Sequence, residues 1–328
     1  MPNSVPRPRL WSAVALLVGA TLALSGCSSS AGKGSPKKSV VTNANGKTTA
    51  VTSGAPTTPA SSAPAKPTIP VHVALKFSDG STFGVGIPVI AFFTRQITDA
   101  RPFSEATKVT VNGTVVRGAW FFEHSSGDRK YPVEAHYRPQ NYWPAHAQVH
   151  MDLPVKGLDA GGGMSFNDSL TSDFATGAAN ISIVDASTHT MRVTSDGRPF
   201  GSFPVSLGAP DTPTASGVKV IMEKGKSICM SGPGYHECGV KYTQRLTYGG
   251  EYLHSAPWNL RNIGHADSSN GCTNLIPADA LKLYNFLEIG DVVQYPNANG
   301  GKMQLGAGYG DWNVPWTQWQ TGGLVRTH

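Results

Sequence analysis

Long apolar runs, blocks of like charge and abundant cysteine are all missing from this 328-residue sequence. Charged residues make up only 15% of the chain, and a net charge of +6 is scattered along it, which argues against a nucleic-acid surface. The apolar runs are too short to cross a bilayer comfortably. Instead, 37 glycines and 24 prolines accompany short alternating apolar patterns. The composition therefore predicts a mostly β fold with many turns.

The N-terminal apolar stretch has the layout of a signal peptide. Two arginines precede it, and it runs from Leu10 to the segment Leu24-Ser25-Gly26-Cys27. This ending resembles the lipobox of bacterial lipoproteins, in which the cysteine is lipidated and becomes the mature N-terminus. We expect residues 1–27 to be a lipoprotein signal peptide and lipidated Cys27 to anchor an exported protein at the outer face of the cytoplasmic membrane and the cell wall. The alternative is an ordinary signal peptide with a chance cysteine.

Only four cysteines are present, and an exported chain holds them in an oxidising compartment. If lipid occupies Cys27, at least one of the other three thiols stays unpaired within the monomer. Cys229 and Cys238 are close in sequence, so we expect a local disulfide between them. Cys272 is then the remaining thiol and the candidate for a reactive residue. A buried, inert thiol near a core histidine is the competing interpretation.

Composition changes divide the chain into segments. Residues 28–68 are rich in Ser, Thr, Ala and Pro and are expected to form a disordered tether. Residues 69–174 have alternating patterns and frequent turn signals, which predict a small Ig-like β-sandwich with Trp120 and Trp143 in its core. Within it, the stretch 108–116 carries an Asn-Gly turn and predicts a hairpin.

A second β-rich domain is predicted from residue 175 to 296, followed by a short C-terminal subdomain at 297–328. It opens with a predicted meander, and two later strands are predicted at 218–223 and 244–248. One helix is predicted from Pro277 to Leu287, with three residues on one apolar face: Leu281, Tyr284 and Leu287.

The residues around Cys272 suit nucleophilic catalysis. Gly271 allows a tight turn, so that nearby amide N–H groups can converge on a developing oxyanion. A catalytic thiol also needs a base, because its ordinary pKa is about 8.5. His254 and His265 both lie upstream, and their spacing alone does not decide between them.

Metal and cofactor chemistry is not expected. The histidines of the first domain lie on different predicted elements, at positions 124, 136, 146 and 150. A compact set of His, Cys and Asp ligands is not visible elsewhere in the sequence. We therefore predict neither a metal nor a cofactor.

The segment from His254 to Asn274 resembles the signature of the L,D-transpeptidase (YkuD-type) catalytic domain. That signature is a histidine, a spacer, Ser/Thr-His-Gly-Cys, one residue and Asn. Here 14 residues separate His254 from Ser269-Asn270-Gly271-Cys272-Thr273-Asn274. Four further blocks are similar to mycobacterial and actinobacterial members that carry an N-terminal Ig-like domain and a lipoprotein-type start: 205–208, 213–217, 254–258 and 310–319.

The resemblance assigns roles to individual residues. It implies that Cys272 is the nucleophile, that His254 is the base, and that Ser255 helps to fix the imidazole. The oxyanion hole and its loop would comprise Asn270, Gly271, Thr273 and Asn274. Substrate-binding positions would be Tyr235, Trp258 and Ser269.

By the same resemblance, the chain would be an acyltransferase that makes 3→3 cross-links in peptidoglycan. Cys272 would form a thioester on a tetrapeptide stem with release of D-Ala, and carbapenems would acylate the same thiol. One position departs from the family pattern, because Asn270 stands where the family has histidine. An L,D-carboxypeptidase and a catalytically impaired wall-binding scaffold are therefore alternatives.

Overall fold

Strands dominate the structure, as the alternating apolar patterns predict. A computed structural model describes residues 68–232 and 234–328. The signal peptide, the lipidation site Cys27 and all of the predicted tether except residue 68 lie outside the described residues, so they stay predictions. Within the described part of the chain, no helix has the length and apolar character needed to cross a membrane.

The first domain is built from twelve short strands and one short helix. In chain order they are β1 (Ile69–Val71), β2 (Val73–Leu75), β3 (Ser81–Phe83), β4 (Val89–Phe93), α1 (Arg101–Ala106), β5 (Lys108–Val111), β6 (Thr114–Val115), β7 (Gly118–His124), β8 (Val133–Pro139), β9 (Gln148–Leu153), β10 (Asp159–Gly161), β11 (Met164–Phe166) and β12 (Leu170–Thr176).

Two sheets of this domain share one apolar core. The larger has the strand order β3-β12-β9-β5-β6 and the smaller β2-β4-β8-β7, with a third small sheet β1-β11-β10. Trp120 and Trp143 are both buried between them, as predicted. Asn112 and Gly113 adopt positive φ at the β5–β6 turn, which confirms the predicted hairpin. The expected β-sandwich is therefore present.

The second domain contains nine strands and two helices. They are β13 (Asn180–Asp185), β14 (Thr190–Ser195), β15 (Arg198–Pro204), β16 (Gly217–Val220), β17 (Glu223–Gly232), β18 (Tyr235–Arg245), β19 (Tyr252–Ser255), β20 (Thr273–Leu275), α2 (Pro277–Phe286), β21 (Val292–Tyr295) and α3 (Trp316–Trp319). Two single turns of 3₁₀ helix cover Pro257–Asn259 and Asp311–Asn313.

Two sheets form the framework of the second domain. One has the order β15-β14-β13-β21-β16, in which the predicted meander β13–β15 is confirmed. The other, β17-β18-β19-β20, packs against α2. Buried apolar residues from both sheets and α2 make up a second core. The 244–248 prediction placed its strand too late, because β18 runs from Tyr235 to Arg245 as one half of a long hairpin with β17.

The predicted face of α2 is partly wrong. Pro277 occupies the first turn and Leu287 is buried, as expected, but Leu281 is 39% exposed and Tyr284 is half-buried. Ala280 and Leu283 point inward instead. Positions 280, 283 and 287 have helical spacing, and a small alanine lets the helix approach β18 and β19 closely. From spacing alone, the larger side chains of Leu281 and Tyr284 were predicted to form the buried face.

The two domains meet through backbone contacts around two glycines of the first domain. Gly84 N–H donates to the Ile289 carbonyl at 2.8 Å, and Gly86 N–H donates to the Gly290 carbonyl at 2.9 Å. A Cβ atom built on Gly84 would lie 2.2 Å from Asp291 N. The junction therefore requires glycine at position 84 because the neighbouring strand approaches so closely.

We predict that Gly84→Ala destabilises the protein by about 1–3 kcal/mol, because the added methyl group must displace backbone atoms. Thermal unfolding of the full chain measures this effect. The matched control is Gly177→Ala, where a Cβ would meet its nearest atom at an ordinary 3.8 Å. Equal melting temperatures for the two variants would contradict the tight junction.

Candidate active site

The parallel pairing of β19 with β20 brings the two halves of the cysteine–histidine motif together. Its register pairs Leu253 with Thr273, His254 with Asn274 and Ser255 with Leu275. Cys272 lies immediately before β20, so the thiol and the imidazole belong to adjacent strands of one sheet edge. Both side chains line the same cavity.

A frame of hydrogen bonds holds the loop before Cys272. Gly271 adopts φ of +100°, a conformation that favours glycine, and its carbonyl accepts a hydrogen bond from Thr214 Oγ1 at 2.9 Å. Ser269 Oγ donates to the Cys272 carbonyl at 2.6 Å. The hydroxyls of Thr214 and Ser269 therefore fix the carbonyl groups on both sides of the nucleophile position.

The segment 208–214 completes this frame from the other side. Gly208 N–H donates to Thr214 Oγ1 at 2.8 Å. The Ser269 carbonyl accepts from both Ala209 N–H and Thr212 Oγ1, each at 2.9 Å. Two of the sequence blocks that carry the family resemblance thus lie against the cysteine loop.

The Cys272 thiol is buried and neutral at rest. Its sulfur donates to the Gly250 carbonyl at 3.5 Å. Burial raises the pKa of the thiol to about 12, opposed by the Tyr252 backbone N–H. The free protein therefore holds a protonated thiol at neutral pH, and reaction requires a base that removes its proton.

His254 lines the same cavity as the thiol, and the backbone orients its imidazole. Its Nδ1 lies 2.9 Å from the Ser255 carbonyl, which only accepts hydrogen bonds, so Nδ1 carries the proton and Nε2 is left with a free lone pair. Burial lowers the pKa of the imidazole, which is neutral at pH 7. Trp258 stacks on the ring with centroids 5.9 Å apart. Ser255 therefore orients the imidazole through its backbone carbonyl.

A cavity of about 240 Å³ opens onto these groups. Its lining comprises Met230, Tyr235, Glu237, Val240, His254, Trp258, Asn259, Ser268, Ser269, Asn270, Cys272 and Asn274. The predicted substrate-binding residues Tyr235, Trp258 and Ser269 are all among them. Trp258 is 58% exposed at the rim. Thr273 points away, because its hydroxyl meets Tyr295 OH at 2.7 Å in the core.

Asn270 occupies an exposed position at this cavity. Of the two histidine candidates, only His254 lines the cavity, whereas His265 is exposed to solvent in the loop before the cysteine. Asp267 accepts hydrogen bonds from Leu207 N–H and His189 Nδ1, so its role is to shape that loop. The structure therefore separates two histidines that sequence spacing could not.

The β17–β18 hairpin covers one side of the cavity. It contains the Cys229–Cys238 disulfide and carries Tyr235 next to its turn. Three lining residues, Met230, Glu237 and Val240, come from this hairpin and were missed by the sequence analysis. An irregular register between Ile228 and Met230 interrupts the alternation of inward-facing and outward-facing side chains. The residues that face the cavity could therefore not be predicted from the sequence.

A buried ion pair behind the cysteine loop was also missed. Lys219 is fully buried, and its Nζ donates to Glu251 Oε2. Glu251 Oε1 also accepts from Ala215 N–H at 2.8 Å. A Cβ on Gly271 would lie 3.8 Å from Glu251 Cγ, which places the pair directly behind the loop that precedes Cys272. The available sequence signal was a lysine inside an otherwise apolar strand.

Fold and cavity together define a β-rich domain with a buried cysteine–histidine site, preceded by a β-sandwich. Residues 179–294 match the family model of the YkuD L,D-transpeptidase catalytic domain, and residues 31–159 match that of a bacterial Ig domain. A solved L,D-transpeptidase from Mycobacterium tuberculosis H37Rv is 30% identical, with a TM-score of 0.54, over 68% of this chain and 97% of that one. The chain belongs to the L,D-transpeptidase family.

Two further similarities point the same way. L,D-transpeptidase 2 of Mycobacterium tuberculosis is 32% identical over 265 residues, which cover 77% of this chain and 63% of the relative. The chain thus spans less than two thirds of that relative. The structure of L,D-transpeptidase LdtMt1 in complex with imipenem is 28% identical with a TM-score of 0.56, over 68% of this chain and 98% of that one.

Lys219→Met should destabilise the protein by about 3–5 kcal/mol, because it leaves the Glu251 carboxylate without its buried partner. Adding Glu251→Leu should recover most of this loss. Unfolding in urea measures both effects, and Lys282→Met on the exposed side of α2 is the matched control. If Lys219→Met is no less stable than Lys282→Met, the ion pair does not support the loop.

Proposed function

We propose that this chain is a peptidoglycan L,D-transpeptidase that uses Cys272 to form 3→3 cross-links. The observation that carries the proposal is that a buried thiol and a neutral, oriented imidazole line one cavity in a member of this family. Several polar side chains that line the cavity offer hydrogen bonds to a peptide: Tyr235, Ser268, Asn270 and Asn274.

In the first half of the proposed reaction, a tetrapeptide stem acylates the enzyme. Cys272 Sγ attacks the carbonyl carbon of the third stem residue while its proton passes to His254 Nε2. The oxyanion is held by backbone N–H groups around Gly271 and Cys272. The C–N bond to D-Ala then breaks, His254 returns the proton to the leaving amine, and a thioester remains.

In the second half, an amine on the side chain of a neighbouring stem attacks the thioester. His254 takes the proton from that amine, the C–S bond breaks, and the thiol is regenerated as a new amide forms. The product is a 3→3 cross-link. Water in place of the amine would make the same site an L,D-carboxypeptidase.

Inhibition by β-lactams follows from the same chemistry. A related structure contains imipenem, a carbapenem. We propose that carbapenems open on Cys272 of this chain to give a stable thioester. The reaction needs only the thiol, the base and the oxyanion donors already described.

Mass spectrometry tests the proposal. The full chain incubated with imipenem should gain the mass of one carbapenem, and incubation with tetrapeptide-stem muropeptides should give dimers with loss of D-Ala. Cys272→Ala should give neither product, because it removes the sulfur. His254→Gln should slow acylation by about 10²–10⁴-fold, whereas His265→Gln, in the adjoining exposed loop, should match the wild type.

The other outcomes separate the alternatives. Tripeptide product without dimers would identify a carboxypeptidase. Absence of both adduct and muropeptide product in the wild type would favour the wall-binding scaffold, with Asn270 as the cause of lost catalysis.

The pH dependence of imipenem acylation follows from the two shifted pKa values. Burial lowers the pKa of His254 and raises that of Cys272 to about 12, so both groups are neutral between pH 7 and 9. If His254 removes the proton during attack, the acylation rate should be flat across this range, and the fall caused by protonation of the imidazole should come at a lower pH than for an ordinary histidine, because burial lowers the pKa of His254. Stopped-flow acylation measures this profile. A rise of about tenfold per pH unit from 7 to 9 would mean that a preformed thiolate reacts instead.

A further inference from the structure

A buried group of charged side chains lies where the first domain meets the C-terminal segment. Glu123 comes from β7, Glu134 and His136 come from β8, and Asp311 begins the 3₁₀ turn Asp311–Asn313. His136, Glu134 and Asp311 are essentially inaccessible to solvent. The group is far in sequence from the cysteine loop and plays no part in the proposed reaction.

The imidazole of His136 has one satisfied nitrogen and one without a partner. Nδ1 lies 2.7 Å from Asp311 Oδ1 and donates to it, because a carboxylate oxygen accepts. Nε2 is buried without a hydrogen-bond partner in the described part of the chain, and so is Glu123 Oε1. The unpartnered nitrogen points at two carboxylates, 3.8 Å from Glu123 Oε1 and 3.7 Å from Glu134 Oε1.

These separations are too long for hydrogen bonds but suit a shared metal ion. Two ligands at about 2.0–2.2 Å from a tetrahedral zinc ion lie about 3.3–3.6 Å apart. The two histidine–carboxylate separations exceed this range by only a few tenths of an ångström, and all three ligand atoms lie within 4.8 Å of one another, so side-chain shifts of up to about 1 Å would close the set. The hydrogen bond from Nδ1 to Asp311 is the contact that metal-binding histidines ordinarily make with their other nitrogen.

The charge balance also favours a cation. Three carboxylates face one imidazole, so the group carries net negative charge even when His136 is protonated. Burying such charge without compensation is costly. Lys76 attracts Glu134 and Arg138 attracts Asp311 at longer range, but among the described residues neither cation forms an ion pair with these carboxylates. The Arg138 guanidinium lies 4.6 Å from the Trp312 ring centroid and donates to the Val314 carbonyl.

We propose that Glu123, Glu134 and His136 bind one divalent transition-metal ion, with zinc preferred over calcium, and that Asp311 orients His136. An imidazole ligand suits zinc, copper, iron and nickel, whereas calcium takes oxygen ligands almost exclusively. The ion would tie β7 to β8, and the hydrogen bond from His136 to Asp311 would connect the site to the C-terminal segment.

Zinc binding by the full chain tests this inference. The metal is first removed with EDTA, and all variants carry Cys272→Ala so that the free thiol does not compete. Titration with zinc chloride, followed by elemental analysis after dialysis, should give one bound zinc per chain, and zinc should raise the melting temperature. Calcium chloride should do neither.

Point variants locate the site. Glu123→Gln and Asp311→Asn should each weaken zinc binding by about 10–100-fold, because one removes a ligand and the other the orienting carboxylate. His150→Gln is the matched control, since this exposed histidine pairs with Asp173 outside the group. Circular dichroism checks the fold of each variant, and partly exposed Glu123 is the substitution least disruptive to packing.

Two results would overturn the inference. In the first, the chain that carries only Cys272→Ala fails to retain zinc, or its melting temperature does not rise with zinc. The group would then consist of carboxyl groups that share protons with His136. The other is equal zinc affinity in Glu123→Gln and His150→Gln, which would place the metal elsewhere.

Discussion

The three-residue parallel pairing of β19 with β20 is the constraint on which the candidate site depends. It sets His254 beside Asn274, and Asn274 is two residues beyond Cys272. Asn274 also exchanges backbone hydrogen bonds with Ser206, which ties the strand to the segment after the meander. A slip of one residue in this register would turn the imidazole to the other face of the sheet and away from the cavity.

Burial determines the chemistry that this arrangement supports. The same desolvation raises the pKa of Cys272 and lowers that of His254, so both groups rest uncharged. A neutral thiol and a neutral imidazole favour proton transfer during the attack, and they disfavour a thiolate–imidazolium ion pair formed beforehand. The hydroxyls of Thr214 and Ser269 and the ion pair behind the loop hold the backbone around Cys272 in place.

Part of this structure could be predicted from short sequence motifs. An Asn-Gly pair specifies the β5–β6 hairpin, and Pro277 specifies the start of α2. The cysteine motif carries its own glycine and serine, so the loop at Cys272 could be predicted from local sequence, whereas only the family resemblance favoured His254 over His265. Contacts between distant segments could not be predicted. Which residues of the β17–β18 hairpin face the cavity depends on an irregular register.

The buried charged groups were invisible for the same reason. Glu123 and Glu134 are directly opposed on β7 and β8, and that pairing is known only once the strand register is known. From the sequence, Lys219 would be predicted to lie at the surface. Its burial is understood only once the structure shows Glu251 beside it, behind the cysteine loop. Two of the three positions predicted for the buried face of α2 were wrong by one residue, because spacing does not reveal where a small residue such as Ala280 permits close approach.

At rest, His254 is uncharged and protonated at Nδ1, which is held by the Ser255 carbonyl. Nitrogen-15 NMR of the full chain with labelled histidine at pH 7, assigned with His254→Gln, measures this directly. We predict one protonated nitrogen, Nδ1, and one unprotonated nitrogen, Nε2, in the His254 ring. Protonation of both ring nitrogens would show a preformed thiolate–imidazolium pair and contradict it.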